Sequence, residues 1–301
     1  MTRRATRGLY HGYLVIDKPA GWTSHDVVGR VRRLLGERRV GHAGTLDPAA
    51  VGVLPVAVGL ATRTVEYLAE SRKAYVADVT FGVTTDSADI DGVVTAVAPA
   101  DHLTGEAVAT ALRGFEGDLM QTPPMHSAIK VGGERLYQLA RRGEEIAVAP
   151  RPVTIHRIEL LDWAAPVATV FVECSKGTYI RSLARDLGDA VGTGAYMSNL
   201  VRVQTGPFTL EEAVRLEELP ELLAQEPWEA VAYHPDVVLH DWPAMVVDAQ
   251  HAIFWRQGKP IPVAGARGSV RVYDAAGTWL GIGCGDDEGA HVQPVKVVAE
   301  E

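Results

Sequence analysis

The residues best suited to do chemistry lie in a few polar, glycine-containing segments. The first is Gly41-His-Ala-Gly-Thr-Leu-Asp-Pro48. Two glycines within four residues let the backbone approach a ligand closely, and Pro48 biases Asp47 towards an extended conformation with a defined side-chain direction. Leu46 and Pro48 are apolar, so a catalytic carboxylate at Asp47 can be sheltered from water. The same residues also fit a helix cap with Pro48 at the first helical position, and local chemistry alone favours the cap. The second segment is Ser175-Lys-Gly-Thr-Tyr-Ile-Arg-Ser-Leu183, which reads as a strand running into a helix. Arg181 falls in the first turns, where the helix dipole is positive and offers a cation nothing. It therefore seeks a carboxylate or a phosphate, unless it is an ordinary surface arginine. Tyr179 either presents its ring to a base or packs in the core. Tyr75, in Arg72-Lys-Ala-Tyr75, poses the same choice at the start of a strand.

Other segments point less directly to chemistry. Gln121–Lys130, followed by a basic helix ending Ala140-Arg-Arg-Gly143, reads as a phosphate-contacting arm or a solvated loop. Ser87-Ala-Asp-Ile-Asp-Gly92 begins like a calcium loop. However, Ser87 stands at the first ligand position and Ala98 at the closing one, so calcium is rejected. The ten histidines show no ligand spacing, and there is no Cys-x-x-Cys, dinucleotide-binding or phosphate-loop motif. The expectation is chemistry without a cofactor or a metal.

The elements that must position these residues follow from periodicity. A short strand is expected at Tyr13–Asp17, then a helix capped by Ser24 with Val27, Val28, Val31, Leu34 and Leu35 inward and Gly36 as its stop. Strands are expected near Gly52–Gly59, Ala74–Phe81, Val153–Leu161 and Ala168–Cys174. Helices are expected near Ala61–Ala69, Thr104–Phe115, Glu134–Arg142 (closed by Gly143) and Thr178–Val191. Thr209-Leu-Glu-Glu212 is a capping box opening a further helix. Strands Val270–Tyr273 and Trp279–Gly283 flank a turn, and with His291–Val298 they form a small β-rich module after an acidic connector. Strands and helices do not alternate as in parallel βαβ units, so the class is α+β.

Composition is that of a globular protein: 47% hydrophobic and 22% charged over 301 residues. No apolar run reaches the ~20 residues of a membrane helix, no secretory signal is read, and two cysteines cannot build a disulfide framework. These features lead to the expectation of a cytoplasmic protein. The formal charge of −9 is unevenly spread. Residues 1–40 hold nine basic and three acidic residues, whereas 207–301 hold six and sixteen. A polyanion responds to the local field rather than to the total, so a nucleic-acid partner stays open.

In this order the segments resemble the TruB family of bacterial tRNA pseudouridine synthases. The likeness rests on Asp17-Lys-Pro-Ala-Gly-Trp-Thr-Ser24, Gly41–Pro48, Gly52-Val-Leu-Pro55, Lys73-Ala-Tyr75, Pro123–Lys130, Gly177-Thr-Tyr-Ile-Arg181 and Gly194–Gly206. It spans residues 11–215, followed by a module similar to the RNA-binding PUA domain. The resemblance implies a central mixed, mainly antiparallel sheet flanked by helices in a catalytic domain of residues 1–235. An RNA-contacting arm would lie at about 120–150, and a PUA-like domain at 236–301. It implies a cofactor-free isomerisation of a flipped-out uridine in the tRNA T-loop, at position 55 of tRNA numbering. Asp47 would be the nucleophile, attacking C6 of the base or C1′ of the ribose. Arg181 would pair with it, and Tyr75 would stack on the base and take the C5 proton. His42, Tyr179 and Leu200 would surround the bound nucleotides. The implied partner is the T-arm of tRNA, with no membrane, no protein partner and a monomeric state. Flipping costs roughly a few kcal/mol and stacking returns about 1–3 kcal/mol per base, while a neighbouring arginine favours an ionised aspartate. The alternative is an RNA-binding or tRNA-folding protein whose role needs no catalysis. Tyr196, His126 and Ala43 depart from the family's common residues, none of them at the proposed nucleophile, stacking tyrosine or arginine.

Overall fold

In the computed structural model the described residues are 10–298, apart from 128, 143, 145 and 264. The arginine-rich start and the helix stop expected at Gly143 therefore lie outside the described residues.

The first half opens with β1 (Gly12–Lys18), α1 (Ser24–Leu35), β2 (Val40–His42), β3 (Val51–Val58), α2 (Val65–Glu70) and β4 (Lys73–Phe81). A small hairpin, β5 (Val83–Thr85) with β6 (Val94–Val97), precedes α3 (Gly105–Arg113) and β7 (Gly117–Gln121). The arm holds the two-residue strands β8 (Lys130–Val131) and β9 (Glu134–Arg135) and the short α4 (Leu136–Arg141). Long strands β10 (Arg151–Ala164) and β11 (Val167–Cys174) lead to α5 (Ile180–Ala190) and β12 (Ala195–Thr205). The short β13 (Phe208–Thr209) and β14 (Val214–Arg215) follow.

These strands form one ten-stranded sheet along the path β14-β1-β3-β12-β4-β11-β10-β7, with β2 beside β3 and β13 beside β12. Two of its pairings are parallel, β1 with β14 and β3 with β12, and the rest are antiparallel. The α+β reading therefore holds. One face carries Tyr75, Ala77, Val79 and Phe81 against α3 and α5, and α1 packs Val27, Val28 and Val31 over Leu14, Ile16, Leu54 and Val56.

Residues 244–297 form a second sheet, β15 (Ala244–Val247), β16 (Ile261–Pro262), β17 (Gly268–Asp274), β18 (Trp279–Gly285) and β19 (His291–Val297), in the order β15-β17-β18-β19-β16. The hairpin read from the sequence is β17 with β18. Its core centres on the fully buried Trp255, whose indole N–H donates to the Leu280 carbonyl at 2.8 Å. Leu60 and Tyr67 of the first sheet's side pack with Leu239, Trp279, Ile282 and Val298, which seats the two sheets together.

Several local readings need correction. Thr23, not Ser24, caps α1, through a capping box with Asp26; Thr23 keeps the extended backbone a cap needs, and Ser24 is already helical. Thr209 and Glu212 do make their capping box, but over a 3-10 turn of three residues. The helix expected at 61–69 is a 3-10 segment, Gly59–Arg63, followed by α2. The chain after Asp47 enters β3 rather than a helix, so Asp47 is not a cap.

Candidate active site

Asp47 sits on the loop between β2 and β3, and that loop is fastened on both sides of it. Ser24, at the start of α1, accepts from the Leu46 amide at 2.9 Å and donates to the Leu46 carbonyl at 3.2 Å. On the other side, the Pro48 carbonyl accepts from the Gly21 amide at 2.9 Å and from the Lys18 ammonium at 3.2 Å. Lys18 is fully buried and also donates to the carbonyls of Pro19 (2.9 Å) and Trp22 (2.7 Å). Burial pushes its pKa down to about 8, with the nearby Asp47 charge opposing. Lys18→Met would leave these three carbonyls without that donor, and an unpaired buried polar group costs roughly 1–3 kcal/mol. The expected outcome is a lower urea midpoint together with slower turnover. An unchanged midpoint and rate would show that the loop needs no such fastening.

Arg181 arrives in the first turn of α5. Tyr179 is the N-cap residue but caps only with its backbone. Its main chain is held in both directions by the buried Gln121 amide, which accepts from the Tyr179 N–H at 2.8 Å and donates to its carbonyl at 3.1 Å. Ser182 donates to the Thr122 carbonyl at 2.8 Å. These bonds tie the helix start to the end of β7 and fix the direction of Arg181. The guanidinium, 7% exposed, then meets Asp47 at 3.1 Å and Asp89 at 3.2 Å, and donates to the His126 carbonyl at 3.0 Å. The anionic partner that Arg181 needs is therefore a pair of carboxylates.

Asp89 comes from the segment that failed the calcium pattern. Its Oδ1 accepts from the Ser87 hydroxyl at 2.5 Å and the Asp91 amide at 3.1 Å, which leaves Oδ2 for Arg181. Among the described residues no cluster of His, Cys, Asp or Glu could hold a metal ion.

The balance of charge at Asp47 differs from the simple expectation. Arg181 and Lys18 lower its pKa, but the surrounding protein and the charges of Asp89 and Asp91 raise it, with desolvation the largest influence. The net direction is upward, although 42% of the side chain opens onto the cavity. Sharing Arg181 with Asp89 weakens its hold on Asp47, in keeping with the upward direction.

Sheet register builds the rest of the site. Tyr75 on β4 lies directly across from Arg202 on β12, and Ala77 from Leu200, so Tyr75, Leu200 and Arg202 share one face. Together with Asp47, Tyr179, Arg181, His126 and Lys73 they line a cavity of about 300 Å³. Tyr75 is 8% exposed, and burial pushes its pKa up despite the nearby Arg202. The phenol is therefore protonated at neutral pH, which suits stacking better than service as a resident base. His42 does not line this cavity. It stands edge-on to His25 with ring centroids 5.4 Å apart, and burial lowers its pKa to about 4. Its Nδ1 is buried with no hydrogen-bond partner among the described residues.

Three family models tile most of the chain. They are the N-terminal domain of the TruB family pseudouridylate synthases at residues 32–180, the tRNA pseudouridylate synthase B C-terminal domain at 181–239, and the C-terminal region of pseudouridine synthase II TruB at 243–298. A tRNA pseudouridine synthase B from Saccharophagus degradans is 41% identical over 96% of both chains. One from Symbiobacterium thermophilum is 57% identical over 69% of this chain and 71% of its own. The chain belongs to the TruB family. Its fold is also that of a chain in the crystal structure of a Cbf5-Nop10-Gar1 complex, with a TM-score of 0.75 at 26% identity, covering 98% of this chain and 87% of the other.

For this TruB chain the structure brings five residues from the motif reading into one cavity: Asp47, Tyr75, Tyr179, Arg181 and Leu200. The motif reading did not single out Lys18, Lys73, Asp89 or Arg202 for a role. Lys18 and Lys73 stood inside matched motifs. Asp89 had only its place in an acidic turn to mark it, and a buried arginine such as Arg202 leaves no local signal.

Proposed function

We propose that this chain converts a uridine of tRNA to pseudouridine, with the T-loop uridine at position 55 as target and Asp47 as nucleophile. The observation that carries this reading is the Asp47–Arg181 pair at 3.1 Å on the wall of a cavity that Tyr75 and Leu200 also line. Relatives named tRNA pseudouridine synthase B, at 41–57% identity, support tRNA as the substrate.

The target base leaves its loop and enters the cavity against Tyr75, whose ring offsets part of the roughly few kcal/mol spent on unstacking. Arg181 holds the Asp47 carboxylate at the reacting carbon and fixes its direction through two carboxylates and the His126 carbonyl. Attack at C1′ or C6 frees the ring to turn and rejoin through C5. No electrons or groups are exchanged with another molecule, so the isomerisation calls for no cofactor. Residues 1–235 act as the catalytic unit, and 236–301, with its five-stranded sheet, acts as a PUA-like RNA-binding unit. The arm at about 120–150 contacts the T-arm, and His42 contacts RNA from outside the cavity. The enzyme works as a cytoplasmic monomer. A role in RNA folding that needs no catalysis draws on the same surfaces and has no observation of its own.

Mass mapping of pseudouridine in an unmodified tRNA transcript tests this directly. The expected result is one new pseudouridine, in the T-loop. A modified position elsewhere would overturn the choice of target, and no pseudouridine at all would overturn the activity.

A further inference from the structure

The cavity holds more buried positive charge than its carboxylates account for. Asp47 and Asp89 are both taken up by Arg181. Arg202 is 1% exposed, and its guanidinium donates to the carbonyls of Val53 (Nε, 2.8 Å) and Gly44 (Nη2, 3.0 Å) beside the Tyr75 hydroxyl. Lys73 is 8% exposed and donates to the carbonyls of Ala69 (2.9 Å) and Ser71 (2.6 Å). Among the described residues neither forms an ion pair with a carboxylate. Glu70, the carboxylate whose charge acts on Lys73, is paired with Lys176.

A buried cation is costly unless something compensates it. Carbonyl oxygens satisfy hydrogen bonds but supply no full charge. Two such cations on the wall of one reaction cavity are placed for an anion that is present only part of the time.

The reaction makes one. When Asp47 attacks C1′, its lone pair forms the O–C1′ bond and the C1′–N1 pair departs with the ring, giving a uracil anion. When it attacks C6, the O–C6 bond forms and the C5–C6 π pair moves towards O4 as an enolate. Either way one negative charge passes from Asp47 to the ring and its carbonyl oxygens. It returns to Asp47 when C5 bonds C1′ and the bond from Asp47 to carbon breaks. On the C6 route the C1′–N1 bond breaks as C5–C1′ forms, its pair staying on N1. On both routes the proton lost from C5 is balanced by one gained at N1.

We propose that Arg202, with Lys73 beside it, stabilises the negative charge that the uracil ring acquires after attack by Asp47. The proposal rests on the nucleophile assignment above and gives the opposite partner of that charge transfer. Register accounts for the placement. Lys73 and Tyr75 alternate onto one face of β4, and Arg202 lies across from Tyr75, so a base stacked on Tyr75 has both cations at its rim. Gly44 leaves room for this, because a Cβ there would come within 3.3 Å of Arg202 Nη1.

The two cations also leave a titration signature. Burial, and then the charge of Arg202, push Lys73 down to about 8. The groups that act on it are Arg202 on β12, Cys174 on β11, Glu70 on α2 and Lys176 after β11. Above that pH the ammonium loses its charge, and its contribution goes with it.

Single-turnover rates on an unmodified tRNA transcript at saturating enzyme, measured from pH 6 to 10 alongside tRNA affinity, test the proposal. In the wild type the rate should fall on the alkaline side with a midpoint near 8. Lys18, also held down to about 8, contributes to the same limb. Lys73→Met and Lys73→Gln should therefore be about 10-fold slower at pH 7 and show a shallower alkaline fall than the wild type, with tRNA affinity within about two-fold. Arg202→Met should lose roughly 10²-fold in rate, part of it recovered in Arg202→Lys. The Lys73 pair and the wild-type profile keep the test decisive if Arg202 variants do not fold. Wild-type rates and an unchanged limb in both Lys73 variants, with Asp47→Asn inactive in the same assay, would overturn the proposal. Activity in Asp47→Asn would instead overturn the nucleophile assignment, and the proposal with it.

Discussion

Asp47→Asn and Asp47→Ala are expected to abolish pseudouridine formation, with a loss of about 10⁴-fold or more, the scale for removing a covalent nucleophile. Affinity for tRNA should survive, because one carboxylate inside the cavity contributes little to a contact dominated by phosphates. A single-turnover assay paired with filter binding separates the two effects. The wild type carries a further signature of the same group. On the proposed mechanism only the ionised carboxylate attacks, and its pKa is raised above the ordinary 3.8 by desolvation and by Asp89 and Asp91, against the pull of Arg181. The rate must therefore rise with pH through a midpoint above the usual aspartate value. Removing the positive partner should move that midpoint further up. An acidic limb at or below the ordinary value would contradict the described balance, and full activity in Asp47→Ala would remove Asp47 from the reaction altogether.

Arg181→Lys should be nearly as damaging as Arg181→Ala, each costing roughly 10²-fold or more, or about 2.7 kcal/mol of barrier. The guanidinium places one Nη on Asp47 and the other on Asp89, and still reaches the His126 carbonyl. An ammonium is a point charge on a flexible stem and cannot span those acceptors in fixed directions. Asp89→Asn gives the complementary reading. It frees Arg181 from one of its carboxylates, so the Asp47 pKa should fall and the acid limb should move down. Wild-type rates in Arg181→Lys would show that charge alone suffices.

Much of this site was legible in the sequence, and what was missed has physical causes. Local chemistry favoured a helix cap at Asp47 and left Arg181 open between an anionic partner and the surface; the ordered set of motifs resembling the TruB family singled both out. β12 escaped because its alternation is broken. It shifts register between Met197 and Asn199 and again between Arg202 and Gln204, and a fully buried arginine sits where an apolar residue is expected. Without that strand, Arg202 has no visible neighbour. Asp89 escaped for the opposite reason. Its turn was read as a failed metal loop, whereas its geometry serves to aim one carboxylate oxygen at an arginine far along the chain. The Ser24 cap was misplaced by one residue because Thr23 and Ser24 both suit the position. The second hydroxyl was needed elsewhere, on Leu46. His42 lies outside the cavity, a placement that its position in the motif gave no means to foresee.

The place of β12 between β3 and β4 also bears on how the two parts of the sheet are joined. Strands made early in synthesis, β3 and β4, are neighbours of β12 and not of each other. A chain truncated before β12 has nothing to join β3 to β4. Such a chain already carries Asp47, Tyr75, Asp89 and Arg181, yet it lacks the strand that brings Leu200 and Arg202 beside Tyr75 and bonds the Gly44 carbonyl. Leu200 and Arg202 therefore enter the site together with the strand that closes the sheet, and a chain cut before β12 lacks that wall of the cavity.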